Sequence, residues 1–126
     1  MTHPLIDMLL SEPRAEAVSE DTLDAFLARD TDTLSCLFFT GQAKKRLETA
    51  DVAVVLREFL SIYGDKVRVG VVDEASEKAL MGRCAVLMLP SISVFHGDNH
   101  LKTFPKILDW QDYAQGMADL LAKAGI

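Results

Sequence analysis

Leu89-Pro90-Ser91-Ile92-Ser93-Val94-Phe95-His96-Gly97-Asp98-Asn99-His100 is the stretch whose reading decides the fold. A proline enters a β-branched run, and Gly97 to His100 interrupt the apolar pattern before Leu101 and Phe104 resume it. The pattern predicts two antiparallel strands over about Ile92–Phe95 and Leu101–Phe104, joined by a tight turn. Pro90 has no N–H to give to a ladder, so it belongs at the first residue of its strand. Where a chain turns sharply into a strand at an X-Pro bond, the cis isomer costs only about 0.5–1 kcal/mol, and Leu89-Pro90 is where one is expected.

Downstream of the hairpin, Asp109 reads as an N-cap with Asp112 three residues on. Trp110, Tyr113, Met117, Leu120 and Leu121 form the apolar stripe of a last helix. Upstream, Cys84 to Leu89 leads into the proline, and Glu74 to Arg83 reads as a short helix with Ala75, Ala79 and Leu80 inward. Val67-Arg68-Val69-Gly70-Val71-Val72-Asp73 before it is a β-branched strand. A helix with Asp51 near its start carries Val52, Val55, Leu56, Phe59 and Tyr63 on one face and ends at Gly64-Asp65. Gly41 to Ala50, with Lys44, Lys45 and Arg46, reads as the polar connection before it.

Leu34-Ser35-Cys36-Leu37-Phe38-Phe39-Thr40 is apolar on both phases, as a strand buried on both faces should be, and is expected at the centre of the sheet. Before it, Ala15 to Val18 reads as a brief strand, and Ser19-Glu20-Asp21 caps a helix over Thr22 to Arg29 that buries Leu23, Phe26 and Leu27. Pro4 to Leu10 has helical spacing but poor caps, and His3 beside it carries no signal. Strands joined through helices cross over right-handedly and lie parallel, whereas the hairpin is antiparallel. The fold class expected is α/β: a mixed sheet of four or five strands flanked by helices on both faces, as one domain over residues 1–126.

Composition narrows the function classes. Apolar residues make up 49% and charged residues 25%, as in ordinary soluble domains, so neither disorder nor a fibrous class is indicated. No run reaches the eighteen or so apolar residues of a membrane span, and Met1 to Leu10 lacks a basic signal-peptide start, so a cytoplasmic chain is expected. A formal charge of −6 disfavours nucleic acid and anionic membranes and favours a basic partner.

Candidate chemistry is sparse. Cys36 and Cys84 form no CxxC or CxxH pair and each lies in an apolar run, so they read as buried thiols; redox chemistry requires that they meet in space or that one be activated. His96, Asp98 and His100 have metal-ligand types at alternate positions, but Gly97, Asp98 and Asn99 are turn-formers, and the histidines read as solvated. Lys44-Lys45-Arg46 has no glycine cradle for phosphate. Asp73, Glu74 and Glu77 read as a strand end and first-turn acids, yet grouped at one end of a sheet they can receive arginines through bidentate pairs. No cofactor is expected.

The element order, the aromatic strand end Phe38-Phe39, Asp73 closing the next strand and Leu89-Pro90-Ser91-Ile92 opening the hairpin together resemble the thioredoxin fold over nearly the whole chain. Where thioredoxins carry Trp-Cys-Gly-Pro-Cys, this chain has Thr40-Gly41-Gln42-Ala43-Lys44-Lys45-Arg46. Within that class it resembles the HupG/HyaE family of nickel-iron hydrogenase maturation proteins, through Glu48-Thr49-Ala50-Asp51, Leu56-Arg57-Glu58-Phe59 and Lys106-Ile107-Leu108-Asp109-Trp110.

The resemblance implies a cytoplasmic, non-catalytic chaperone that holds the hydrogenase small-subunit precursor or its twin-arginine signal peptide before export, with other maturation proteins as further partners. It also implies that polypeptide runs past the proline loop and the loop after the central strand, so Thr40, Gly41, Leu89 and Pro90 should border the contact surface. Asp73, Glu74 and Glu77 would then receive the arginines. Two competing readings are a thioredoxin-like redox or peroxide enzyme using Cys84 or Cys36, and a structural subunit of a larger complex.

Overall fold

Pro4 opens the first helix because proline lacks only an N–H that the first turn leaves without an intrahelical partner. In the computed structural model, which describes residues 3–41 and 47–126, that helix is α1 (Pro4–Leu10). His3 caps it, its Nδ1 accepting the Leu5 N–H at 3.1 Å, so the histidine without a sequence signal has a structural one. The chain continues through β1 (Ala15–Val18), α2 (Leu23–Arg29), β2 (Leu34–Phe39), α3 (Leu47–Tyr63) and a 3-10 turn (Gly64–Lys66). It then runs through β3 (Val67–Val72), α4 (Glu74–Met81), β4 (Ser91–His96), β5 (Asn99–Pro105) and α5 (Trp110–Ala124).

The five strands form one sheet in the order β1-β3-β2-β4-β5. β1, β3 and β2 are mutually parallel, whereas β4 runs antiparallel to β2 and β5 antiparallel to β4. This is the mixed α/β sheet expected from the sequence, with β2 central and every residue of β2 and β3 buried. The Leu89–Pro90 peptide bond is cis.

Strand alternation splits the core into two layers. Leu34, Cys36 and Phe38 of β2 face a layer built with α1, α3 and α5, in which Phe59 meets Tyr63, Trp110 and Tyr113 at centroid distances of 5.8, 6.1 and 5.8 Å. Leu37 and Phe39 face the other layer, built with α2 and α4. Burying each such side chain contributes roughly 1.5–3 kcal/mol. Arg68 ties α2 to the sheet from the second layer: its guanidinium stacks 4.0 Å from the Phe26 ring and Nη2 donates to the Phe26 carbonyl at the helix C-terminus. Such a donor answers the carbonyls that a helix end leaves without partners.

Two local expectations change. α3 starts at Leu47, several residues before Asp51, and takes in Glu48-Thr49-Ala50, assigned from the sequence to a connection. In α4 the buried residues are Ser76, Glu77 and Leu80, while Ala75 and Ala79 are exposed. Polar bonds turn the helix: the Glu20 N–H donates to Ser76 Oγ at 2.9 Å, and the Glu77 carboxylate is engaged beneath the sheet end.

Candidate functional site: the loops at one end of the sheet

The register gathers the loops. Val18 pairs with Val72, Phe38 with Val71, Phe39 with Ser91, and Ser91 with Pro105. The segments beginning at Ser19, Thr40, Asp73 and Lys106, and the one ending at Pro90, therefore leave the sheet at the same end. In an open α/β sheet this end, outside the carboxyl termini of the parallel strands, is where ligands are generally received. Lys106 N–H donates to the Pro90 carbonyl at 2.8 Å, and Asp73 N–H to the Val18 carbonyl at 2.8 Å, which binds neighbouring loops together.

Of the residues expected to border a contact surface, Thr40, Gly41 and Pro90 are buried and Leu89 is partly buried. They lie below the surface. What projects is Leu87, 92% exposed, and Met88, 46% exposed. Sequence reasoning missed both; the available signal was the Leu87-Met88-Leu89 run, which has no polar phase and no strand or helix to bury it. Two non-glycine residues are in the left-handed region, Lys106 at φ +58° at this end and Ala85 at φ +56° on the approach to Leu87. A left-handed alanine or lysine costs roughly 1–2 kcal/mol, which the surrounding structure must offset.

The acids separate into two kinds. Asp73 and Glu74 are exposed at the start of α4. Glu77 is only 6% exposed, and its carboxylate is fully engaged: Oε1 accepts from Thr40 N–H at 3.0 Å, Thr40 Oγ1 at 2.9 Å and Gly41 N–H at 3.1 Å, and Oε2 lies 3.2 Å from the same Gly41 nitrogen. From the other side, Thr49 Oγ1 donates to the Thr40 carbonyl at 2.7 Å. Thr40 thus has every polar group satisfied, and Gly41, at φ +66°, turns the chain away. Glu48 of α3 lies 3.8 Å from Lys106 Nζ in an exposed pair. Lys44, Lys45 and Arg46 lie outside the described residues.

The cysteines do not meet. Cys36 belongs to the layer with α1, α3 and α5, and Cys84 to the layer with α2 and α4, on the opposite face of the sheet. Both are fully buried, and burial pushes the Cys36 thiol up to about 12 and the Cys84 thiol up to about 11. Neither can supply thiolate near neutral pH, and a disulfide between them requires refolding. The hairpin histidines are engaged separately: His96 Nε2 lies 2.8 Å from the Thr31 carbonyl, and His100 Nε2 lies 2.9 Å from Thr103 Oγ1. Among the described residues no cluster of three His, Cys, Asp or Glu side chains is placed to hold a metal.

A groove of about 590 Å³, lined by Glu12, Arg14, Val54, Arg57, Glu58 and Ser61, lies toward the other end of the sheet, where β1 begins and α3 ends. Among the described residues no helix is long and apolar enough to cross a membrane.

Comparison with known proteins agrees with this fold. The family model for the hydrogenase-1 expression protein HyaE matches residues 5–113. The hydrogenase expression/formation protein HupG of Rhizobium leguminosarum bv. viciae is 34% identical over 125 residues, spanning 97% of this chain and 83% of the relative. HoxO of Azotobacter vinelandii is 30% identical over 122 residues, spanning 97% and 80%. The crystal structure of a HupG protein from Rhodopseudomonas palustris superposes with a TM-score of 0.59 at 33% identity, covering 86% of this chain and 96% of that one. With a two-layered α/β sheet, inert thiols and near full-length similarity to these proteins, the chain belongs to the HyaE family of hydrogenase expression and formation proteins, accessory factors in hydrogenase maturation.

Proposed function

We propose that the protein is a non-catalytic, cytoplasmic chaperone that holds the hydrogenase small-subunit precursor by its twin-arginine signal peptide, at the loop end of its thioredoxin-like sheet. The observation that carries the reading is the exposure of Leu87 and Met88 beside the cis-proline loop, at the same sheet end as the exposed carboxylates Asp73 and Glu74. Exposed apolar side chains next to acids match a ligand that has arginines followed by an apolar segment. Arginine pairs with carboxylates bidentately, and the apolar segment removes Leu87 and Met88 from water. The floor of Thr40, Gly41, Leu89 and Pro90 shapes the surface from beneath.

The redox reading loses its chemistry on this geometry. Exchange needs an attacking thiolate and a resolving thiol within reach, and the two buried thiols sit on opposite faces of the sheet.

Calorimetric titration tests the proposal, using the small-subunit signal peptide and a copy with both arginines replaced by glutamine. The native peptide should bind more tightly. Its advantage should shrink as the Debye length falls from about 10 Å at 0.1 M salt to about 3 Å at 1 M. Leu87→Asp should weaken binding of both peptides without lowering the melting temperature, since that side chain is 92% exposed. Equal affinity for the two peptides removes the electrostatic part of the proposal, and binding of neither removes the whole.

A further inference from the structure

Glu77 is an acid in the first turn of a helix that opens at the loop end, and its charge invites assignment to a basic partner. Its surroundings assign it elsewhere. The side chain is 6% exposed, and its two oxygens take the N–H groups of Thr40 and Gly41 and the Thr40 hydroxyl, all within 3.2 Å. At 6% exposure, with three donors within 3.2 Å, this carboxylate is withdrawn from the surface on which an arginine would land. Thr49 fixes the opposite side of the same loop through the Thr40 carbonyl at 2.7 Å. Two helices, α3 and α4, therefore clamp one peptide unit where the central strand leaves the sheet.

We propose that Glu77 is a positioning residue. It fixes the Thr40–Gly41 turn that underlies the proposed contact surface, and does not itself meet the partner. This inference rests on the contact surface proposed above and names what preforms it. Binding to a preformed surface spares the ordering of a loop at the moment of association, which otherwise subtracts from affinity. A neutral glutamine keeps the size of the side chain but removes the charge assistance. Its amide oxygen can still accept from these donors, but without charge assistance and with an NH2 set beside the Gly41 N–H, so the clamp is weakened with little change of volume.

The test compares Glu77→Gln, Asp73→Asn/Glu74→Gln and the unaltered protein by calorimetric titration with the small-subunit signal peptide at several salt concentrations. Hydrogen exchange at the Gly41 amide is followed in the free proteins. Glu77→Gln should accelerate that exchange about tenfold or more, as weakening charge-assisted hydrogen bonds implies, and weaken the peptide about three- to tenfold through the less ordered loop. It should leave the salt dependence of binding unchanged, whereas Asp73→Asn/Glu74→Gln should flatten it. Leu9→Val, which loosens the layer on the opposite face of the sheet from α4, should lower the melting temperature without changing peptide affinity, separating positioning from general stability.

Unchanged exchange at Gly41, or accelerated exchange with unchanged affinity, overturns the positioning role. A flattened salt dependence in Glu77→Gln overturns it in favour of direct contact. If the unaltered protein binds no peptide, the contact surface fails, and the positioning role falls with it.

Discussion

Gly116→Ala should destabilise the protein although helix propensity argues the reverse. Gly116 lies in the interior of α5, where glycine is about 0.8–1.0 kcal/mol less favourable than alanine, so intrinsic propensity alone forecasts a gain near 1 kcal/mol. In the folded protein the added Cβ falls 2.6 Å from Phe104 Cε1 and 2.8 Å from Phe104 Cζ, with Lys102 Cε at 3.7 Å. Carbon atoms pack at roughly 3.5–4.0 Å, so the ring must retreat by about 1 Å. It has little room, being 1% exposed with its centroid 5.4 Å from that of Tyr113. Overpacking of this kind costs about 1–3 kcal/mol, and two atoms of one rigid ring held by a second ring place it toward the upper part of that range.

The net effect is a loss of about 1–2 kcal/mol, or a fall in melting temperature of roughly 3–8 °C for a chain of this size. Urea unfolding followed by far-ultraviolet circular dichroism and by Trp110 fluorescence should show a lower midpoint with an unchanged slope. In a Phe104→Leu background, where the ring is absent, the same substitution should be close to neutral or favourable, and the difference between the two backgrounds measures the contact. A midpoint raised by Gly116→Ala in the unaltered background would refute the reasoning.

Three further outcomes follow from the core. Phe59→Ala removes a fully buried ring that meets Tyr63, Trp110 and Tyr113, and should cost about 3–5 kcal/mol in urea unfolding, with a red shift of Trp110 emission; a loss below 1 kcal/mol contradicts the packing described. Native protein at pH 8 should resist an aromatic disulfide reagent and react at both thiols in guanidinium, because Cys36 and Cys84 are fully buried and their thiols are held protonated well above that pH. Rapid native labelling of either thiol sinks that expectation.

Stability should also decline in alkali. The folded thiols sit at about 12 and about 11 against an ordinary 9.0, so their contribution is complete below pH 9 and is lost as pH rises through the folded values. Tyr63 and Tyr113, both raised above 10.0 by burial, add to the decline at higher pH. Cys36→Ala/Cys84→Ala should lessen the slope of stability against pH from 9 to 11, and an unaltered slope counts against the assignment.

Much of the fold was legible in residue order because its signals are local. Pro90 can open a strand but cannot sit within a central one, Gly97-Asp98-Asn99 can turn a hairpin, and the two-phase apolar run Leu34–Phe39 reads as a strand covered on both faces. Those constraints act between near neighbours and survive without knowledge of the rest of the chain. The absence of a CxxC pair was equally plain, and the redox class weakened with it.

The tertiary structure decided what depends on residues distant in sequence. Whether Cys36 and Cys84 meet turns on strand parity and on which face each helix covers. Whether Glu77 is a solvated acid or a clamp depends on the Thr40–Gly41 loop, 36 and 37 positions away. First-turn acids are usually exposed, so local statistics pointed outward; the donors of the β2 loop drew this one in. Leu87 and Met88 show the converse, an apolar run that none of the described elements covers. Local propensity determines which element a segment forms, whereas burial and exposure are set by what the other segments bring to that place.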